Sequence, residues 1–120
     1  MIARVWRGQA TGQNAEAYRR HFAESVRPAL ASISGHRGAL LLRRELEGDS
    51  QTEFLVVTLW DSMEAVRAFA GLDPERAVVE PAARAVLTDF DASVRHYDIV
   101  QDSREPRVGP SIDDATGFAV

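Results

Sequence analysis

The side chain best suited to acid–base chemistry in this chain is His96. An imidazole exchanges protons near neutral pH and is the group most often used as a general acid or base. The sequence leaves two roles open for His96, a general base or a hydrogen-bonded histidine within a sheet. Tyr97 follows it and points to the opposite face if the strand is regular, so the two side chains would not act on one substrate.

The other two histidines, His21 and His36, are expected on the surface. His21 stands among charged neighbours in a helical pattern, and His36 lies in a Gly-His-Arg-Gly turn. No two histidines have the H-x-x-x-H spacing with which one face of a helix holds a metal ion. The sequence therefore gives no support for a metal site.

Three aromatic side chains and one arginine are candidates for contacts to a ligand. Trp60 ends a strand, where its indole could wall a pocket for a flat aromatic ligand together with Phe69, or could pack in the core, which is favoured. Strand alternation puts Arg4 and Trp6 on one face. If that face lines a pocket, the cation could sit beside the ring. If it meets a partner, both residues belong to an interface, and this second position is favoured.

Composition excludes several classes of chemistry. The 120 residues include no Cys and no Lys, so thiolate catalysis, thiolate-bound metals, Schiff-base lysines and phosphate-loop lysines are ruled out. The net charge is −4 and the arginines are dispersed, which argues against binding to nucleic acid. No apolar run is long enough to span a membrane or to act as a signal peptide. We therefore expect a cytoplasmic protein without membrane association.

The hydropathy pattern predicts four strands and two main helices within residues 1–100. The first helix is expected to begin at Asn14 and to kink at Pro28, and the second to begin after Asp61 or Ser62. A short helix is expected to start at Asp73. The predicted strands are residues 2–7, 38–45, 51–60 and 92–100, with a last helical stretch at 82–88 and a flexible or partner-packing tail at 101–120.

This order of elements, βαββαβ, is that of a ferredoxin-like α+β fold. Right-handed crossovers then give an antiparallel sheet with the strand order 4-1-3-2. Strand 2 would lie at an edge with three consecutive leucines at residues 40–42, and strands 2 and 3 are apolar on both faces. Helices of the same chain can cover only one face. The pattern therefore predicts a homodimer that forms through the β-sheet.

Three segments resemble the antibiotic biosynthesis monooxygenase domain family, which is part of the dimeric α+β barrel superfamily. They are residues 1–8, 60–69 and 90–97, and the resemblance covers about residues 1–100. It implies a homodimer whose sheets pack face to face, with a pocket between sheet and helices in each protomer. Members of the family oxidise polycyclic aromatic substrates with molecular oxygen and no bound metal or flavin, whereas others cleave haem or bind small metabolites.

The haem-cleaving branch has three features that this chain lacks. That branch places an Asn on strand 1, a Trp on the second helix and an iron-binding His about ten residues later. Here strand 1 reads Arg-Val-Trp-Arg at residues 4–7, Phe69 stands at the helix position, and Val79 and Glu80 stand where the His is expected. The comparison disfavours haem degradation, and no cofactor is expected.

The function that the resemblance implies is cofactor-independent oxygenation of a small aromatic or quinol-type metabolite. His96 would remove a phenolic proton, and the resulting carbanion would reduce oxygen inside an apolar pocket walled by Trp60 and Phe69. The rival hypothesis is a non-enzymatic protein of the same fold that binds a small ligand or serves a stress response. A third hypothesis is an isomerase or decarboxylase of a small acid, in which an arginine rather than a tryptophan would dominate the site.

Overall fold

The computed structural model describes residues 1–48 and 50–104, which form one antiparallel sheet with helices packed on it. The predicted tail from residue 105 onwards lies outside the described residues. The elements in chain order are β1 (Ile2–Thr11), α1 (Gly12–His21), a π-helical turn (Phe22–Val26), α2 (Arg27–Ala31), β2 (His36–Leu46), β3 (Gln51–Trp60), α3 (Met63–Ala70), α4 (Pro81–Val86), β4 (Asp89–Phe90) and β5 (Arg95–Asp98).

The sheet has the predicted strand order, and the ferredoxin-like α+β class is confirmed. β1 pairs along its whole length with β3, and β3 pairs with β2 in a hairpin. β4 and β5 both pair with the other edge of β1, so the fourth strand of the predicted order is divided in two. β1 is therefore a central strand whose alternate side chains face the helices at fixed positions.

The strand predicted at residues 92–100 forms only at Arg95–Asp98, and residues 91–94 separate it from the two-residue strand β4. There the backbone bonds to other parts of the chain, since the Ala77 amide donates to the Ala92 carbonyl at 2.8 Å. The Trp6 indole donates to the Asp91 carbonyl, also at 2.8 Å. The Asp91 amide still donates to the Arg7 carbonyl of β1 at 3.0 Å, and regular pairing with β1 resumes only at β5.

Residues 73–80 form an irregular segment rather than the short helix predicted from Asp73. The Asp73 carboxylate accepts a hydrogen bond from the Glu75 amide at 3.2 Å, which is the geometry of a local turn. The Val94 amide donates to the Glu75 carbonyl at 2.8 Å and ties this segment to the interruption between β4 and β5. Tertiary hydrogen bonds thus override the local helix signal, and α4 begins only afterwards, with a proline in its first turn.

The first helical region begins earlier than predicted and contains a π-helical turn. Thr11 rather than Asn14 is the N-cap, and its hydroxyl accepts a hydrogen bond from the Asn14 amide at 3.2 Å. The π-helical turn lies directly before Pro28, which has no amide hydrogen with which to continue the regular pattern. The wider turn changes which residues face the sheet between α1 and α2.

β3 and α3 form as predicted. Ser62 caps α3, and its hydroxyl accepts a hydrogen bond from the Ala65 amide at 3.2 Å. The turn before β2 packs closely on this helix at Gly35, whose φ is 86°. A Cβ atom at Gly35 would lie 2.5 Å from the Ala65 Cβ, so only glycine fits there.

The two faces of the sheet differ in what covers them. One face packs against the helices and holds the buried core, including Phe54, Trp60 and Val66. On the other face, Leu40 and Leu42 of β2 keep 49% and 46% of their surface exposed. Their register partners on β3 are Val57 and Leu55, so these four side chains form an apolar patch on the open sheet face. The ion pairs of Glu53 with Arg7 and Arg44 border this patch.

Candidate functional site

A cavity of about 280 Å³ lies between the helix-covered face of the sheet and the helices. Its walls come from β1, β3, the helical region from α1 to α2, α3, α4 and the segment before α4. Apolar side chains make up most of the wall, as in small-molecule pockets generally. The ionisable or hydroxyl-bearing side chains on the wall are Arg4, Tyr18, His21, Thr58 and Glu80.

Arg4 lines the cavity and is only 5% exposed. Its Nη1 donates to the Pro74 carbonyl and lies 3.0 Å from the His96 Nε2, and its Nη2 donates to the Arg76 carbonyl at 3.0 Å. The guanidinium lies 5.7 Å from the centre of the Phe69 ring. The sequence preference for an interface position of Arg4 is therefore wrong, because β1 turns this residue towards the helices.

Trp6 lies on the same face and also lines the cavity, so its preferred interface position is wrong too. Its ring packs 6.3 Å from the Tyr18 ring and 6.3 Å from the Phe90 ring. The indole N–H is bonded to the Asp91 carbonyl, which fixes the ring orientation. Trp6 therefore presents an apolar face to the cavity, and its polar group is already satisfied.

Phe69 lines the cavity, whereas Trp60 does not. The Trp60 indole is fully buried, stacks on Phe69 with ring centres 5.1 Å apart, and donates from Nε1 to the Thr58 hydroxyl at 2.9 Å. It therefore supports Phe69 from behind and belongs to the core. The role of Trp60 as a pocket wall is corrected, while its alternative role in the core agrees with the structure.

His96 stands behind Arg4 rather than on the cavity wall. β5 pairs it with Arg4 across the sheet, and its Nε2 accepts from the Arg4 guanidinium. Partial burial lowers the pKa of His96, and the positive charge of Arg4 lowers it further, against a weaker opposing effect of Glu75. The neutral imidazole is thus an acceptor that orients Arg4. Tyr97 points to the opposite face, as its position in the strand predicts.

His21 is an ionisable residue of the cavity that sequence reasoning missed, as are Tyr18 and Glu80. Only 10% of its side chain is exposed, and its Nε2 is buried without a hydrogen-bond partner among the described residues. The nearest acidic group is the Glu80 carboxylate, 3.9 Å from this nitrogen, too far for a hydrogen bond. His21 lies three residues after the buried Tyr18, so helical spacing at the edge of the apolar face was the available signal.

The structure corrects the expected surface position of His36 and shows Tyr18 beside the cavity. His36, expected on the surface, packs edge-on against Trp60 at 5.1 Å, and its Nε2 is buried without a partner in the described part of the chain. Burial lowers the pKa of His36. Burial also raises the pKa of the Tyr18 phenol, so this hydroxyl remains protonated beside the cavity.

Residues 1–48 and 50–104 contain neither a candidate metal site nor a candidate membrane-spanning helix. No group of three or more His, Cys, Asp or Glu side chains there is arranged to hold a metal ion. None of the helices in this part of the chain is long and apolar enough to cross a membrane.

Comparison with known proteins finds a family match and several similar folds. The family model described as antibiotic biosynthesis monooxygenase matches residues 1–81. The haem-degrading protein MhuD of Mycobacterium tuberculosis is 24% identical, with a TM-score of 0.59 over 85% of this chain and 98% of that one. A mutant of SnoaB, a cofactor-independent oxygenase of Streptomyces nogalater, is 22% identical, with a TM-score of 0.59 over 87% and 97%. A search among curated proteins finds no significant match.

Proposed function

The chain belongs to the antibiotic biosynthesis monooxygenase family, and from that premise we propose that it is a cofactor-independent monooxygenase of a small aromatic or quinol-type metabolite. The observation that carries the proposal is the unpartnered Nε2 of His21, buried in an apolar cavity. A buried polar atom without a partner costs free energy unless a ligand or water satisfies it. A substrate hydroxyl or an acidic C–H group is a suitable partner for this nitrogen.

His21 rather than His96 is the proposed general base. Its Nε2 has no competing donor among the described residues, whereas the Nε2 of His96 is occupied by Arg4. An imidazole with a free ring nitrogen inside a ligand cavity meets the geometric requirement for proton abstraction. His96 is then a positioning residue that acts through Arg4.

The proposed reaction converts a CH₂ group next to an aromatic ring into a carbonyl group. His21 accepts one proton, and the carbanion transfers an electron to O₂, after which the two radicals combine and form a C–O bond. The peroxide takes the proton back from the imidazolium. Loss of the second C–H proton breaks the O–O bond and gives the carbonyl and one water. The substrate thus loses four electrons, and the two oxygen atoms of O₂ end in the carbonyl and in water.

The aromatic side chains of the wall would hold the substrate ring. Trp6 and Phe69 supply apolar surface on the cavity side of the sheet and of α3. Their positions are fixed by the hydrogen bond of Trp6 to Asp91 and by the stacking of Phe69 on Trp60. An apolar wall excludes water, which protects the carbanion from simple reprotonation by solvent.

A haem-degrading activity, as in MhuD, fits the residues of this cavity poorly. The haem-cleaving branch has a Trp at the position where this chain has Phe69, and a His near the positions of Val79 and Glu80. All three of these residues line the cavity with their own side chains. Arg4 also stands on the strand that carries an Asn in that branch. The cavity residues therefore do not fit haem in the way that the haem-cleaving branch holds it.

A second candidate function is the conversion of a small acid by an isomerase or decarboxylase. The sequence hypothesis for this function expects an arginine rather than a tryptophan to dominate the site. Arg4 lines the cavity and supports this candidate, while Trp6 lines the same cavity and fits the oxygenase proposal. Turnover of an acid without oxygen uptake would favour this candidate. The non-enzymatic alternative predicts ligand binding in the cavity without any turnover.

We also propose that the protein is a homodimer that forms through the open sheet face. Leu40 and Leu42 are half exposed there, which is unfavourable for an isolated protomer in water. A second copy of the chain offers the same apolar surface and could bury both.

Oxygen uptake with anthrone tests the oxygenase proposal. We expect uptake above the spontaneous rate with the wild-type protein, and His21→Ala should lower the rate constant by about 10²- to 10⁴-fold because the general base is lost. Arg20→Ala is the matched control, since it removes an exposed neighbour on the same helix. Thermal unfolding of each variant separates loss of the base from loss of the fold.

Three outcomes would contradict this assignment. No uptake by the wild type across anthrone and a panel of quinols would end the oxygenase proposal in favour of a binding protein. Full activity of His21→Ala would exclude His21 as the base. Loss of activity in His96→Ala but not in His21→Ala would identify His96 as the general base.

A further inference from the structure

Arg4 is a buried cation whose charge is not balanced by a carboxylate in the described part of the chain. Its partners are the carbonyls of Pro74 and Arg76 and the imidazole of His96, all of them uncharged acceptors. Burial lowers the pKa of Arg4, yet an arginine remains charged in a folded protein. A buried charge is costly unless an opposite charge accompanies it. Glu75 acts electrostatically on His96 but forms no ion pair with Arg4 within 4.0 Å in the described residues, so Arg4 lacks a direct ion-pair partner there.

The donors of Arg4 are also only partly used. A guanidinium has five N–H donors, and Nη1 uses two of them on Pro74 and His96 while Nη2 uses one on Arg76. The Nε–H and the second N–H of Nη2 make no hydrogen bond within residues 1–48 and 50–104. Two donors of this kind suit the two oxygens of a carboxylate.

We propose that Arg4 binds a carboxylate of the ligand, so that the metabolite is an aromatic acid rather than a neutral ring compound. The proposal rests on the proposed function in one respect, namely that the cavity holds an aromatic ligand. The two carbonyls and His96 hold the guanidinium in place before the ligand arrives, which reduces the entropy lost on binding. Arg4 would then determine specificity, with His96 as its positioning residue.

The remaining charged group of the cavity favours one orientation of such a ligand. Glu80 lies 3.9 Å from His21 and would repel a carboxylate placed at that histidine. At Arg4 a carboxylate meets a positive charge and no carboxylate within 4.0 Å among the described residues. The acid group therefore goes to Arg4, and the ring carbon that reacts is left for His21.

Equilibrium binding of 2-naphthoate and 2-naphthamide measures the effect without any turnover. The two probes have the same shape and differ in charge, so a preference reports recognition of the carboxylate. We expect the wild-type protein to bind naphthoate about ten- to a hundredfold more tightly than naphthamide by isothermal titration calorimetry. This result would hold even if the oxygenase proposal failed.

Variants at position 4 test whether Arg4 is the group that causes the preference for naphthoate. Arg4→Gln should abolish the preference for naphthoate, because it weakens naphthoate binding while the affinity for naphthamide stays within about threefold of the wild type. Arg67→Gln removes an exposed arginine from α3 and should retain the preference. Arg4→Lys keeps the charge but loses the paired donors, so we expect an intermediate preference. The lysine variant also keeps the test decisive if the glutamine variant does not fold.

The outcomes separate this proposal from the proposed function. Equal binding of both probes by the wild type would overturn carboxylate recognition but leave an aromatic-binding cavity. A naphthoate preference that survives Arg4→Gln, or Arg4→Lys if only that variant folds, would assign recognition to another group and overturn the proposal. Failure of both probes to bind at millimolar concentration would overturn both proposals.

Discussion

At the residue scale, the proposed chemistry of this protein depends on which histidine ring nitrogens lack a hydrogen-bond partner. His96 is the histidine that the sequence favours, but its Nε2 is bonded to Arg4. His21 resembles a surface residue in the sequence, yet its Nε2 lies buried beside the cavity without a partner in the described residues. Arg4 thus occupies the Nε2 of His96, which removes this candidate base, and places a positive charge on the cavity wall. The free nitrogen of His21 is the reason that we propose this residue as the base.

The lowered pKa values of His36 and His96 predict that the folded protein loses stability on mild acidification. Burial lowers the pKa of both in the folded state, and the charge of Arg4 adds to the effect at His96. Below about pH 6.5 the unfolded chain therefore binds more protons than the folded one, so the stabilisation is complete above this value and is lost as the pH falls below it. Thermal melts should give a lower Tm at pH 5.5 than at pH 7.5.

A double variant tests the cause of this pH dependence. His36→Phe combined with His96→Gln removes both groups, and the decrease in Tm between pH 7.5 and 5.5 should become smaller. A wild-type Tm that rises on acidification over this range would contradict the assignment. An unchanged decrease in the double variant would point to other titrating groups.

At the element scale, the interruption between β4 and β5 is tied to the position of Trp6. The indole reaches across to the Asp91 carbonyl, and Gly8 makes room for the ring. A Cβ atom at Gly8 would lie 2.7 Å from the Cη2 atom of Trp6. The glycine, the ring and the irregular backbone at residues 91–94 therefore form one unit at the edge of the cavity.

Gly8→Ala should disturb this unit and destabilise the fold. The added methyl group forces the Trp6 ring to move, which strains its hydrogen bond to Asp91 and costs about 1–3 kcal/mol, as overpacking generally does. Gly12→Ala is the matched control, because its Cβ atom would make only an ordinary contact at 3.7 Å, and we expect a change within about 0.5 kcal/mol. Urea unfolding measures both. Equal stabilities of the two variants would show that Trp6 is free to move.

At the scale of the whole molecule, one sheet face carries the site and the other carries an apolar surface. The helices cover the face of Arg4 and Trp6, while Leu40 and Leu42 remain half exposed on the open sheet face. A protein in water rarely leaves such a surface uncovered. The proposed dimer would cover it without closing the cavity, which lies on the opposite side of the sheet.

Leu42→Glu should convert the proposed dimer into a monomer. A carboxylate on the open sheet face of each copy would be buried without a partner, which is strongly unfavourable. Leu72→Glu adds the same charge at a fully exposed position outside the sheet and should leave the dimer intact. Light scattering during gel filtration at low micromolar concentration gives the masses. A wild-type protein that is monomeric and folded under these conditions would contradict the dimer.

The sequence by itself determined the βαββαβ order of the main elements, the strand order and the central place of β1. The main elements follow from local patterns, such as the apolar run at Gln51–Trp60 and the Ser62 cap, which act between residues close along the chain. The strand order follows from these elements and the right-handed crossover rule. The tertiary structure decided what the site contains. The structure decided which face of β1 the helices cover and that the Arg4 guanidinium bonds to the Nε2 of His96. Both depend on contacts between residues far apart in the chain, which periodicity does not encode.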